Sequence, residues 1–179
     1  YIRSIFCLSL DSYPINLFDC VASIPNQIIL KETSLQSAFI GGFTIRSNEP
    51  DMPSLIVMNR NSTAADRNFA LAHELIHFFC HEYANGGYYS AKNEVQANEG
   101  AAELLLPYKL FIPDVQAGID VYGNLDDAII NTAKAYKVAP DVAKYRYLNL
   151  KAEREQFFSG VPLDDIKIMK RSEWEALQE

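Results

Sequence analysis

No stretch of this chain reaches the ~20 consecutive apolar residues of a membrane-spanning helix. Its opening residues do not read as a secretory signal. Cysteine is scarce, with only Cys7, Cys20 and Cys80. An odd count without paired spacing suits a reducing cytosol and excludes a disulfide-built scaffold. Net positive charge is lacking too: 16 Lys and Arg stand against 23 Asp and Glu, a balance of −7 at pH 7. That argues against sequence-independent binding to nucleic acid, which relies on basic contacts to phosphate. Internal repeats and low-complexity stretches are absent. What remains is a chain of 179 residues, 49% hydrophobic, enough for one core with a small appendage. The expectation is a cytoplasmic protein with neither a membrane nor a direct nucleic-acid partner.

Histidine is also rare, and all three copies stand in one segment, at 73, 77 and 81. His73-Glu74-Leu75-Ile76-His77 has the H-E-x-x-H spacing of zinc hydrolases. Two histidines four apart share a helix face and can hold one ion, while the Glu beside the first can act as a base on water. On a helical wheel of residues 69–81, at about 100° per residue, His73, Glu74, His77 and His81 fall with Ala70 on one arc. Phe69, Leu71, Ala72, Leu75, Ile76, Phe78, Phe79 and Cys80 cover the rest and are expected to pack, Cys80 in a core role. Ser62, Thr63 and Asp66 supply start signals. The bland alternative is two surface histidines on an amphipathic helix. His81 lies about 12 Å along the axis from His73, too far to share one tetrahedral ion. It reads as a partner of a ligand, a group on the substrate side, or merely polar.

A catalytic zinc needs a third protein ligand and an open position. Residues 93–106 read as a second helix with Ala97, Ala101, Leu104 and Leu105 as its apolar stripe. Glu99 and Glu103 point to solvent, whereas Glu94 and Asn98 fall on the stripe. A carboxylate there is costly unless paired or bound to metal, which makes Glu94 the candidate third ligand. Otherwise Glu94 is a solvated first-turn residue favoured by the helix dipole. Asn98, one turn on, can hydrogen-bond a ligating His.

The run from Phe69 to His81, then Glu94-Val95-Gln96-Ala97-Asn98 leading into Ala101-Ala102-Glu103-Leu104-Leu105-Leu106-Pro107, resembles the ImmA/IrrE family of zinc metallopeptidases. The family pattern is F-x-x-A-H-E-x-x-H-x-x-x-H followed by E-x-x-A-N/D and A-A-x-L-L-M-P. Weaker similarity extends to Pro14–Leu17, to Ser54–Asn59, and to residues 133–139 with 145–148. The resemblance implies one Zn2+ per chain on His73, His77 and Glu94, with Glu74 as the catalytic carboxylate. It also implies a small gluzincin-like fold and a regulatory protein substrate, a helix-turn-helix repressor in a bacterial, phage or mobile-element setting. Ile76 stands where the family often has Gly, Gly100 where a larger residue is common, and Leu106 where Met is common. Ile76 lies on the apolar side of the wheel and is expected to pack rather than block the metal.

The remainder reads as α+β: a zincin-like core with a short mixed or antiparallel sheet packed on the H-E-x-x-H helix, and C-terminal helices. Residues 16–24 read as a short helix closed by Pro25. Residues 38–45 read as a strand interrupted at Gly41-Gly42, or as two strands, and residues 54–59 as another strand. An edge strand near the metal helix can pair with extended substrate backbone. Tyr88 or Tyr89, in the loop between the two site helices, is a candidate donor to a developing oxyanion, against the alternative that both pack. Residues 124–150 form two helices broken at Ala139-Pro140. Their Lys134, Lys137, Lys144, Arg146 and Lys151 are offset by Asp126, Asp127 and Asp141, which favours packing or partner recognition over DNA reading. Residues 166–170 read as a strand, followed by a short charged helix around Trp174. The core is placed at residues 1–123 and the helical segment at 124–179. Two functions follow: a zinc peptidase acting on a repressor-like protein, or a zinc-containing binding module that works by contact alone. The intact Glu74 favours the first.

Overall fold

In this computed structural model, which describes residues 2–9, 12–24, 27–36, 41–47, 49, 51–81, 90–169, 173 and 176, the fold is α+β. Helices α1 (Ile2–Ile5) and α2 (Leu17–Ala22) precede strands β1 (Ile28–Thr33), β2 (Gly42–Ile45) and β3 (Ser54–Asn59). Helices α3 (Ala64–Cys80), α4 (Ala91–Leu105), α5 (Tyr108–Tyr122), α6 (Leu125–Tyr136), α7 (Pro140–Asn149) and α8 (Lys151–Phe158) follow. No helix among the described residues is long and apolar enough to cross a membrane. The chain divides into two compact units, Tyr1–Leu105 with Tyr136–Val138, and Leu106–Ala135 with Ala139–Glu179.

In the first unit the apolar run of β3 takes the centre of a mixed sheet ordered β1-β3-β2. β1 runs parallel to β3 with Ile28 opposite Ser54, and β2 runs antiparallel with Thr44 opposite Ile56. Ile56 and Met58 on one face are fully buried and Val57 on the other is buried too, as expected of a central strand covered on both faces. β1 was not anticipated, since Ile28-Ile29-Leu30 is too short a run to show a period. Of the segment read as 38–45, β2 occupies only Gly42–Ile45, and residues 38–40 lie outside the described residues, as does Pro25.

Thr63 starts α3. Its hydroxyl accepts from the Asp66 N–H at 3.1 Å and donates to the Asp66 carboxylate at 2.7 Å, satisfying one of the first-turn donors that no helix can bond internally. Leu71, Ala72 and Leu75 bury the apolar stripe completely. β2 lies along α3 and meets it at steps of about one helical turn. A Cβ on Gly41 would come within 2.8 Å of the Ala70 Cβ, so glycine allows the close approach. Four residues further along the helix, Thr44 bonds Glu74. Beyond that, the Arg46 guanidinium donates to the carbonyls of Phe78 and His81 and lies over the Phe78 ring, serving carbonyls that the helix end leaves unpaired.

Helix α4 packs on α3, with Ala97 and Ala101 fully buried. Ile76 and Gly100 meet between the two helices. A Cβ on Gly100 would fall 2.8 Å from Ile76 Cδ1, 3.0 Å from Cγ1 and 3.3 Å from Cγ2. The two departures from the family pattern are therefore one exchange of volume, a larger residue on α3 filling space left by a smaller one on α4. Ala favours a helix over Gly by about 1 kcal/mol, but a β-branched neighbour is stiff at χ1 and cannot yield at three atoms at once. Gly100→Ala is therefore expected to destabilise the protein by about 1–3 kcal/mol, as overpacking does. The denaturation midpoint should fall, and fall less in an Ile76→Val background, which lacks the nearest atom. A raised midpoint for Gly100→Ala alone would show that Ile76 moves freely.

In the second unit, α5 buries Phe111, Ile112 and Val115 completely and ends at Gly123 with φ 74°, a left-handed stop that glycine adopts without strain. Gly118 packs against Ala128 of α6, and the Phe111 ring meets Tyr147 of α7 edge-on at 6.4 Å. These contacts place α5 with the later helices, in the unit that begins at Leu106. The break at Ala139-Pro140 separates α6 from α7 as expected, and Lys144 pairs with Asp126 at 2.8 Å. Residues 166–169 form no strand. Their backbone bonds side chains of α8 instead: the Gln156 amide exchanges two hydrogen bonds with Lys167 at 2.8 and 3.0 Å, and the Met169 N–H donates to Glu153 at 3.1 Å. Trp174 lies outside the described residues.

Candidate metal centre

His73 and His77 stand one turn apart on α3 with their Nε2 atoms 3.0 Å from each other. Glu94, in the first turn of α4, sets Oε2 3.4 Å from His73 Nε2 and Oε1 3.3 Å from His77 Nε2. The three groups are a cluster able to hold a metal ion, with ligand atoms all within 4.8 Å of one another. Bonds of about 2 Å at tetrahedral angles imply ligand-to-ligand edges of about 3.3 Å, which these separations match.

The far side of each ring is also engaged. His73 Nδ1 lies 3.0 Å from Asn98 Oδ1, and His77 Nδ1 lies 2.9 Å from His81 Nδ1. A proton on His73 Nδ1 donated to Asn98, and one on His77 Nδ1 donated to His81, leave lone pairs on both Nε2 atoms. Two lone pairs and a carboxylate turned on one point repel unless a cation lies among them, so the donor set fits a metal. His81 thus sits beside His77 and outside the three-residue cluster.

His77 is only 2% exposed. Burial, then the charge of His73, push its pKa down to about 4, against the opposing pull of Glu94. The ring therefore stays neutral in the folded protein at pH values where the unfolded chain already binds the proton. In metal-free protein, the contribution of His77 to stability is fully present above the ordinary histidine pKa of about 6.5 and is lost as pH falls from there towards 4. The loss from this residue is on the order of 3 kcal/mol. Urea midpoints of metal-free protein at pH 7.5 and pH 4.5 should show it, and His77→Asn should flatten the dependence. An unchanged slope in the variant would place the proton uptake elsewhere.

Glu74 is buried, and that burial raises its pKa, while a hydrogen bond from the Thr44 hydroxyl and the charge of His73 oppose the rise. Thr44 Oγ1 donates to Glu74 Oε2 at 2.7 Å. Thr44 was missed from the sequence. The signal was a polar residue between Phe43 and Ile45, but alternation alone points it outward.

The expectations for Glu94, Asn98 and Cys80 need correction. The Glu94 side chain is 42% exposed and Asn98 is exposed, so neither sits on a buried stripe. Burial along α4 begins only at Ala97, because the first turn projects past the core. Packing of α4 on α3 brings Glu94 to the histidines. Cys80 is exposed rather than core, since burial along α3 stops at His77. Tyr88 and Tyr89 lie outside the described residues.

The family model Peptidase_M78, IrrE N-terminal-like domain, matches residues 31–148. That span is more than half of the chain and contains Thr44, His73, Glu74, His77 and Glu94. No curated protein matches the chain.

Proposed function

The chain belongs to the IrrE N-terminal-like peptidase family, and from that premise we propose that it is a zinc-dependent endopeptidase cleaving a repressor-like regulatory protein. The observation that carries the reading is Glu74: a buried carboxylate beside the metal cluster, held by hydrogen bonds from the hydroxyl and the backbone N–H of Thr44 on the sheet. A module that works by contact alone has no use for a costly buried base at that position.

His73, His77 and Glu94 are the groups that would hold Zn2+, a borderline-soft ion suited to two imidazoles and one carboxylate. Bound there, zinc supplies Lewis acidity, activating water near neutral pH and polarising a carbonyl. Glu74 takes the proton of the attacking water on its carboxylate and passes it to the leaving amine. A pKa lifted by burial brings this carboxylate closer to the working pH of a general base. Asn98 and His81 orient the two imidazoles from behind.

An extended substrate segment has a place to bind. β2 is an edge strand, and no strand among the described residues pairs with its outer side. The Asn59 N–H bonds the Gly41 carbonyl, so by antiparallel alternation the carbonyls of Gly42 and Thr44 face outward. Backbone pairing there would lay the substrate next to Glu74. The acidic chain disfavours nucleic acid as the direct partner, and the family resemblance implies a protein substrate in the cytoplasm of a bacterial, phage or mobile-element system. The test is to incubate the protein and zinc with a helix-turn-helix repressor encoded beside it. Defined fragments support the reading, whereas stable association without fragments supports the binding-module alternative.

A further inference from the structure

Glu74 directly follows one ligand and precedes another by three residues on the same helix. It lies close enough to His73 and Glu94 for both charges to act on it. A carboxylate so placed threatens the site. If it joined the two histidines and Glu94, the ion would have four protein ligands, the closed arrangement of structural zinc, with no position left for water. Yet Glu74 is not among the residues whose donor atoms converge.

We propose that Thr44 is a positioning residue that tethers Glu74 outside the coordination sphere and so keeps the ion's fourth position open. The inference rests on the metallopeptidase reading and deepens it. Thr44 Oγ1 holds Glu74 Oε2 at 2.7 Å in a buried setting, where a hydrogen bond to a charged group is strong. The anchor is itself rigid. Threonine is stiff at χ1, and β2 is fixed to α3 on both sides of it, by the Gly41–Ala70 approach and by Arg46 on the last turn. The sheet, and not the helix alone, therefore decides whether Glu74 is a base or a ligand.

Cobalt substitution and azide test this without any substrate. Co2+ bound in place of zinc absorbs in the visible, and azide entering an open position changes the spectrum. Wild type and Thr44→Ser, which keeps the hydroxyl, should each take one Co2+ and respond to azide alike. Thr44→Val, which keeps the shape and the backbone N–H but loses the hydroxyl donor, should take Co2+ with an altered spectrum and at least a tenfold weaker azide response. Thr44→Val/Glu74→Gln should recover the response, because a neutral amide is a poor ligand. Should Thr44→Val fold badly by circular dichroism, Thr44→Ala is read in its place. A wild-type azide response in the variant without the hydroxyl overturns the tether, as does loss of cobalt from both the Val and the Ala variants. Wild-type protein that takes up no cobalt overturns the metal centre itself, and the tether with it.

Discussion

Glu74→Gln is expected to keep the metal, the fold and partner binding, and to reduce cleavage by at least about 10²–10⁴-fold, the usual contribution of a general acid–base group. The substitution conserves shape. The Thr44 hydroxyl can still donate to the amide oxygen, so the 2.7 Å contact with β2 survives. What disappears is the basic oxygen. Replacing a buried carboxylate by a neutral amide also removes a desolvation cost, so the variant should be at least as stable as the parent. Mass spectrometry of the incubated partner, together with metal analysis of the variant, checks the outcome. Undiminished fragments from Glu74→Gln would sink the peptidase mechanism. A variant that loses cleavage yet restores full signalling in cells would favour the binding module.

His77→Ala is expected to abolish stoichiometric metal binding. His77 is the most buried of the three cluster residues, and its ring touches His73, Glu94 and His81 at once. Its removal takes away a donor and leaves a cavity that small relaxations cannot close. Glu94→Gln should also weaken the metal strongly, since a charged ligand becomes a poor neutral one. Asn98→Ala acts only through His73, and a loss of about 10–100-fold in metal affinity is expected. Glu103 is the control. It lies on the same helix but pairs with Arg3 at 3.4 Å, so Glu103→Gln should leave metal content unchanged. Equal metal in wild type and His77→Ala, or more damage from Glu103→Gln than from Glu94→Gln, would show that the wrong groups are named.

Legibility in the sequence followed the range of the interactions. Thr63 and Asp66, three residues apart, marked the start of α3 because a cap is a local hydrogen bond. The α6–α7 break was readable at Ala139-Pro140 for the same kind of reason: the residue before proline avoids the helical region. α5 was not read at all, although Phe111, Ile112 and Val115 carry a helical spacing and Gly123 a stop. Pro113 inside it masks the pattern. Residues 166–169 misled because apolar and charged residues alternate there, while the groups that bond their backbone, Gln156 and Glu153, belong to a helix and not to a neighbouring strand.

The sequence by itself determined the helix and its donors. The 3.6-residue period puts His73, Glu74 and His77 on one arc of α3 whatever surrounds them, and no tertiary contact is needed to establish it. Tertiary structure decided which groups complete the site. Glu94 reaches the histidines because Gly100 admits Ile76 between α4 and α3, not because a buried stripe demands a partner. Thr44 faces Glu74 because β3 pairs with β2 in a register that turns Phe43 and Ile45 outward, the reverse of what hydrophobic alternation suggests. Those contacts join residues between 17 and 30 positions apart in the chain. Packing volume and strand register set them, and neither is written in any local period.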